Sequence, residues 1–227
     1  MNNEEARINW VKQKLESLPK DIKILDAGAG EQQYKHFCKH LKYVSQDFAQ
    51  YIPSQLDNGL QMPTWDYGEL DIISDITAIP EPNETFDAIL CTEVFEHIPN
   101  PIIAIKEFSR LIKKSGVLIL TAPFCSMTHF APYHYYSGFS RFFYEKHLIE
   151  NGFEIKSIEC NGNYFDYVGQ ELSRSPYIAN EYTNEKISGI EKIALKIVNK
   201  MLSRFSEKDK GSSELLNFGF HIVAIKL

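Results

Sequence analysis

Carboxylates recur at the ends of apolar runs in this sequence. The first, Asp26, closes "IKILD" and leads into Asp26-Ala27-Gly28-Ala29-Gly30. Glycines in such a turn let a ligand approach the backbone with no Cβ in the way, and they permit positive φ. The dinucleotide fingerprint G-x-G-x-x-G would require a third glycine at position 33, where Gln33 stands. That residue argues against a pyrophosphate seated on a helix N-terminus, and Asp26 ahead of the first glycine points to a ligand with a positive end. Asp47 follows "YVSQ", where a carboxylate can accept both hydrogen bonds of a ribose diol. Asp75 follows "IIS", suited to accept from an exocyclic amine, with Ile76 as an apolar wall for a purine. A lone aspartate at a strand end is ordinarily just a solvated carboxylate. Three at matching strand ends, beside a glycine turn, point to a binding site.

A second set of reactive side chains lies further on. His97, in "EVFEHIP", is equally a general base titrating near neutral pH or a packing histidine. The run "PFCSMTHFAPYHYYSGFSRFFYEKH" concentrates His129, Tyr133, His134, Tyr135, Tyr136 and Arg141. Its aromatic density suits an apolar or sugar-like acceptor, and equally a core beneath a cap. Arg141 can hold an acceptor's carboxylate or phosphate, or pair with Glu145 one helical turn on. His129, His134 and His147 match no common metal-ligand spacing, and no metal is expected.

Positioning these groups requires a frame, and the apolar periodicity supplies one. Ile8, Val11, Leu15 and Leu18 recur at helical spacing before Pro19. "IKIL" predicts a buried strand, "EQQYKHFCKHL" a helix, "KYVSQ" a second strand, "LDIISDI" a third and "TFDAILCTEV" a fourth. Asn100 and Pro101 predict the start of a helix carrying Ile102, Ile105, Phe108 and Ile112 on one face and ended by Gly116. "VLILTAP" follows as a fifth strand, then a helix over 140–151, a sixth strand "FEIKSIEC" and a last one in "FGFHIVAIKL". Strands alternating with helices predict a parallel sheet covered on both faces. Two segments interrupt the rhythm. Residues 48–70 are too long for an ordinary connection and suggest a lid. Residues 170–213 are expected to form a helical insertion with a helix over 184–205. There Ile187, Ile190, Ala194, Ile197, Met201 and Phe205 share a face, while Lys192, Lys196 and Lys200 line an edge. A packed amphipathic cap is favoured over a membrane-surface helix.

With its four blocks so spaced, the sequence resembles the class I S-adenosylmethionine-dependent methyltransferases, in particular the small-molecule group with a ubiquinone-biosynthesis type of signature (type 11). The resemblance rests on "ILDAGAG", Asp47, "SDITAIPEPNETFDAILCTEVFEHIPNP" and "LIKKSGVLILTAP", covers residues 22–160 and resumes at the last strand. It implies a Rossmann-like, doubly wound, seven-stranded α/β sheet whose last strand runs antiparallel, with helices on both faces. It also implies that Asp26, Ala27, Gly28 and Gly30 surround the methionine part of S-adenosylmethionine. Asp47 with Phe48 would then hold the ribose, Asp75 with Ile76 the adenine, and Thr92 with Glu93 would close the pocket beside the sulfonium. His129, His134, Tyr133, Tyr135, Tyr136 and Arg141 would lie where the family usually builds its acceptor site, with His97, after the fourth strand, able to serve as base. One departure stands out: Gln32 occupies a position where many members carry a third glycine.

Composition narrows the alternatives. The 227 residues and 26.2 kDa suit a single domain, 1–227, with an N-terminal helix over 1–20. A net charge of -6 disfavours nucleic acid as a partner, since phosphate binding needs clustered Lys and Arg. No apolar run is long enough to span a bilayer, and the polar start "MNNEEARINW" does not read as a signal peptide. Cys38, Cys91, Cys125 and Cys160 form no C-x-x-C pair and predict reduced thiols in a cytoplasmic protein without structural zinc. The expected activity is methyl transfer from S-adenosylmethionine to a small-molecule or carrier-bound acceptor. A catalytically inactive methyltransferase-like binding protein and an NAD(P)-dependent oxidoreductase remain the alternatives.

Overall fold

In the computed structural model, which describes residues 2–53 and 59–227, Asn2 caps the first helix by accepting from the backbone N–H of Glu5. That helix, α1 (Asn3–Glu16), turns Trp10, Val11 and Leu15 inward. They pack with Ile24, Ala88, Leu90 and Ile119, which project from one face of the central sheet. The alternate residues Leu25, Ile89, Leu118 and Leu120 are equally buried, as period-two alternation requires of a sheet covered on both faces.

The strands are β1 (Lys23–Ala27), β2 (Lys42–Asp47), β3 (Ile72–Ile73), β4 (Phe86–Thr92), β5 (Ile112–Pro123), β6 (Phe153–Asn161) and β7 (Gly219–Lys226). They form one seven-stranded sheet in the order β3-β2-β1-β4-β5-β7-β6. β1 is parallel to β2 and β4, and β4 to β5, whereas β7 runs antiparallel to β5 with Val117 opposite Ile225 and Pro123 opposite Gly219. The strand order reverses beside β1 and β4, so their carboxyl ends bound the crevice where open α/β sheets take ligands.

Three elements up to β5 differ from expectation. "EQQYKHFCKHL" forms only a single 3-10 turn, Lys35–Phe37, because Gly30 and Gln32 adopt φ of 51° and 56° and interrupt any helix there. The third strand is reduced to two residues at the sheet edge. α2 (Pro101–Leu111) ends before Gly116, and Ile112 already pairs with Phe86 in β5. Gly116 serves that strand instead: a Cβ there would lie 2.9 Å from the carbonyl oxygen of Asp87. α3 (Arg141–Glu150) falls as expected and buries Tyr144 and Leu148.

The chain divides into two compact units, residues 2–159 with 219–227, and residues 160–218. The second is built on α4 (Tyr164–Thr183) and α5 (Gly189–Ser206). Asn184, at φ 57°, ends α4, and a capping box between Ser188 and Glu191 starts α5 five residues later than the expected helix over 184–205. Phe165 and Phe205 meet at 5.5 Å, and Leu202 is buried. The stripe expected to pack as a cap is otherwise largely uncovered: Ile190 is 81% exposed, and Ile197 and Met201 are also exposed. No described helix is long and apolar enough to cross a membrane.

Candidate active site

The turn after β1 is drawn onto the end of β2 by its own backbone. The N–H groups of Gly28 and Ala29 both donate to the carbonyl of Gln46 at 2.9 Å, and Gly28 takes φ 76°. The Gly30 N–H donates to Asp47 Oδ2 at 2.9 Å, and Ala49 N–H donates to Asp47 Oδ1 at 3.0 Å. Asp47 is only 6% exposed, and burial raises its pKa against those two bonds. Asp26, 1% exposed, accepts from the Tyr43 hydroxyl at 2.6 Å. Burial pushes its carboxyl up to about 7, the Tyr43 bond opposes the shift and Asp47 adds to it. Two desolvated acids thus flank a bare backbone turn at the strand crossover.

Neither glycine can be replaced without displacement. A Cβ on Gly28 would sit 2.5 Å from Val94 Cγ2, and one on Gly30 would sit 2.8 Å from Trp65 Cζ2. Trp65 belongs to the long 48–70 segment, whose residues 54–58 lie outside the described ones. The rest of the segment is anchored. Tyr51 and Trp65 meet edge-on at 5.5 Å, and Phe130 lies 5.1 Å from Trp65. Gln32, in place of the third glycine, donates its amide to the carbonyls of Tyr67 and Glu69 at 2.7 and 2.8 Å. The departure in the motif therefore fastens this segment over the turn.

The remaining expected cofactor residues are close to the strand ends. Asp75 is exposed and accepts from the N–H and hydroxyl of Thr77, while Ile76 is buried beside it. Thr92 closes β4 opposite Thr121. Glu93, at φ 53°, accepts from the Thr121 hydroxyl at 2.8 Å and pairs with Arg7 at 3.1 Å. Phe48 meets Tyr133 edge-on at 5.0 Å.

Beyond β4 and β5, the loops converge on imidazoles. The N–H groups of Tyr135 and Tyr136 donate to the carbonyl of Glu96 at 2.8 and 3.2 Å, folding the 124–138 loop back onto the turn Phe95–His97. Leu60 bridges to His129, so the 48–70 segment also joins this loop. The rings of His97 and His129 then lie 4.8 Å apart, those of His129 and His134 4.8 Å, and those of His97 and His134 6.0 Å. His97 Nδ1 lies 2.6 Å from the carbonyl of Tyr133. Burial lowers the His97 pKa to about 3, the other two imidazoles add to the fall and the Tyr133 bond opposes it. The expectation of a base near neutral pH is thereby corrected: His97 is uncharged and weakly basic. Tyr135 and Tyr136 are exposed, and Arg141 is ion-paired with Glu145 at 3.0 Å.

Several site residues escaped the sequence reading. Gln46 donates its amide to the carbonyl of Ser74, tying β2 to the segment before Asp75. Trp65, Tyr43 and Arg7 are single residues in unremarkable contexts, with no local signal. Glu96 sits inside a noted motif; its being an acid in an otherwise apolar turn was the available clue.

Comparison with known proteins agrees with this geometry. A family model described as a methyltransferase domain matches residues 3–157. An uncharacterised protein of Methanocaldococcus jannaschii is 28% identical over 101 residues, which are 44% of this chain and 40% of that relative; the match thus spans well under half its length. A protein provisionally described as a sarcosine dimethylglycine methyltransferase from Galdieria sulphuraria superposes with a TM-score of 0.57 at 15% identity, over 99% of this chain and 84% of its own. Phosphoethanolamine N-methyltransferase 2 of Haemonchus contortus, solved with S-adenosyl-L-methionine, superposes with a TM-score of 0.53 at 15% identity, over 97% of this chain and 52% of its own. At such identities the two structures speak for the fold.

Proposed function

The chain belongs to the methyltransferase-domain family, on the class I S-adenosylmethionine-dependent fold, and from that premise we propose that it transfers a methyl group from S-adenosylmethionine to a small-molecule or carrier-bound acceptor. The observation that carries the proposal is Asp47, a nearly buried carboxylate linked to the Gly30 backbone at the strand crossover. With two N–H donors already in place, its remaining lone pairs face a diol's requirements. Asp26, Ala27, Gly28 and Gly30 surround the methionine portion, where the ammonium would hold Asp26 ionised. Asp47 and Phe48 take the ribose, Asp75 and Ile76 the adenine, and Thr92 and Glu93 border the sulfonium. Trp65 Cζ2 would lie 2.8 Å from a Cβ on Gly30, so seating the cofactor moves this ring or stacks against it.

Displacement at a sulfonium methyl needs alignment in a dry pocket more than it needs acid–base help. The weakly basic His97 is consistent with that demand. The acceptor lies against His97, His129, His134 and Tyr133, with Tyr135 and Tyr136 on the open side; Arg141, paired with Glu145, contributes less. Thermal unfolding with S-adenosylhomocysteine, and with NADH as control, tests the reading. Ligand at a hundredfold excess over Kd stabilises by about 2.7 kcal/mol, a rise of several degrees in Tm for a chain of this size. A rise with S-adenosylhomocysteine alone is expected. A rise with NADH alone would replace the proposal by an oxidoreductase, and a rise with neither would leave a non-catalytic scaffold.

A further inference from the structure

Three imidazoles converge in the loops after β4 and β5, each offering a ring nitrogen, with these atoms all within 4.8 Å of one another. Two of them are held by backbone carbonyls. His97 Nδ1 lies 2.6 Å from the Tyr133 oxygen, and His129 Nδ1 lies 2.8 Å from the Met127 oxygen. A carbonyl only accepts, so each Nδ1 carries the proton and each Nε2 presents a lone pair. Those two Nε2 atoms stand 3.7 and 3.8 Å from a single oxygen, Glu96 Oε1. Lone pairs and a carboxylate oxygen facing one another repel unless a cation or proton lies between them.

The third imidazole and the carboxylate are incomplete as they stand. Neither ring nitrogen of His134 has a hydrogen-bond partner among the described residues, although both atoms are shielded from solvent. The Glu96 side chain is 1% exposed, and its Oε2 likewise lacks a partner. Buried polar groups are nearly always satisfied, and such exceptions call for an ion or water. Burial, together with repulsion from His129, favours the uncharged form of His97 and His134, the form in which imidazole ligates metals. A backbone carbonyl on the far nitrogen of a ligating histidine is also the usual outer-shell arrangement that fixes tautomer and ring orientation.

We propose that His97, His129 and His134, with Glu96 as an outer partner, form a binding site for a divalent transition-metal ion of the zinc class. Imidazole-rich sets favour zinc, cobalt and nickel over magnesium or calcium, which take oxygen ligands. Around a tetrahedral ion with bonds of roughly 2.0–2.1 Å the ligand atoms lie about 3.3 Å apart, so the cluster closes by small side-chain rotations. Sequence spacing conceals the site: His129 and His134 are joined by His97 from another loop, whereas His147 lies 3.4 Å from Glu150 on α3.

The ion's role in turnover rests on the methyltransferase reading; its binding does not. Three imidazoles leave a coordination position open, and an acceptor hydroxyl bound there is made more acidic. Its proton leaves to solvent, the oxygen forms a bond to the methyl carbon, and the carbon–sulfur bond breaks with its electron pair remaining on sulfur as a neutral thioether. The proposal thus selects a hydroxylated acceptor.

Titration of the chelator-stripped protein with cobalt(II), followed in the visible and near-ultraviolet, and with zinc by calorimetry, tests the site. One equivalent bound with micromolar or tighter Kd is expected, with visible bands and no thiolate charge-transfer absorption. His134→Ala and His129→Ala should each weaken binding at least tenfold while the circular dichroism spectrum is retained. Absence of a stoichiometric ion, thiolate absorption from the cysteines, or unchanged affinity in both variants would overturn the proposal. If the variants do not fold, the wild-type cobalt spectrum decides alone. Metal binding without S-adenosylhomocysteine binding would refute the methyltransferase reading and leave the metal site standing, and the converse result would do the reverse.

Discussion

The turn between β1 and β2 and the histidine cluster beyond β4 and β5 are built from different materials. The first uses backbone N–H groups and two acids, each at the end of a strand whose register is fixed by a parallel ladder. The second uses side chains from separate loops, brought together by two N–H groups that donate to the Glu96 carbonyl. A backbone cradle tolerates little change at its own residues, and of the side chains around it only the few that touch it matter, such as Asp47 and Val94. A side-chain cluster has the opposite weakness, failing when any loop that delivers a ligand is released.

The largest effect should come from filling the cradle. Gly28→Val places a branched side chain at φ 76° against Val94. Strain and overpacking together cost roughly 2–6 kcal/mol. S-adenosylhomocysteine binding should vanish and Tm should fall sharply in a thermal melt, whereas cobalt binding at the histidines should outlast the change wherever the variant remains folded. Retained cofactor affinity would contradict the cradle.

Asp26 gives the next largest effect. Its folded pKa of about 7 exceeds the 3.8 usual for an aspartate, so between these values the folded state holds a proton that the unfolded chain has released. The carboxyl's contribution to stability is therefore greatest below pH 3.8 and is lost as pH rises through 7. The difference amounts to about 4 kcal/mol at 1.36 kcal/mol per pKa unit. Denaturant unfolding at pH 5 and pH 8 should show Asp26→Asn gaining on the wild type as pH rises. Parallel curves for the two proteins would remove the buried acid from the account.

Trp65 should give the smallest effect, because it covers the cradle without bonding to it. Of the two tryptophans, Trp10 is on α1 with its side chain in the core, so a fluorescence change on adding S-adenosylhomocysteine reports Trp65. Trp65→Phe should abolish that change and alter affinity by less than about tenfold, in line with about 1 kcal/mol for an aromatic contact. An unchanged signal in the variant would place the ligand elsewhere.

The same contrast explains what the sequence disclosed. Asp26, the glycines and Asp47 were legible because a strand end is a local feature, marked where an apolar run stops. A seven-stranded sheet with an antiparallel last strand followed from the resemblance, and the helices α2 and α3 from the apolar pattern and its Pro and Gly boundaries. The helix expected after Gly30 was not legible as a turn, since nothing in "EQQYKHF" announces that Gln32 will take φ 56° and bond to the carbonyls of Tyr67 and Glu69. The union of His97 with His129 and His134 was hidden for the same reason. It depends on how a loop folds back, and residues 32–37 apart in the chain carry no periodic signal. His97 was misjudged in pKa because burial and like-group repulsion are properties of the assembled loops.

The most direct test is a calorimetric titration of wild type and Asp47→Ala with S-adenosylhomocysteine, side by side. The account expects micromolar binding to the wild type and a loss of about 1–3 kcal/mol, or roughly 5- to 150-fold, in the variant, the cost of leaving buried hydroxyls unpaired. Equal affinity in the two proteins, or none in the wild type, would contradict it.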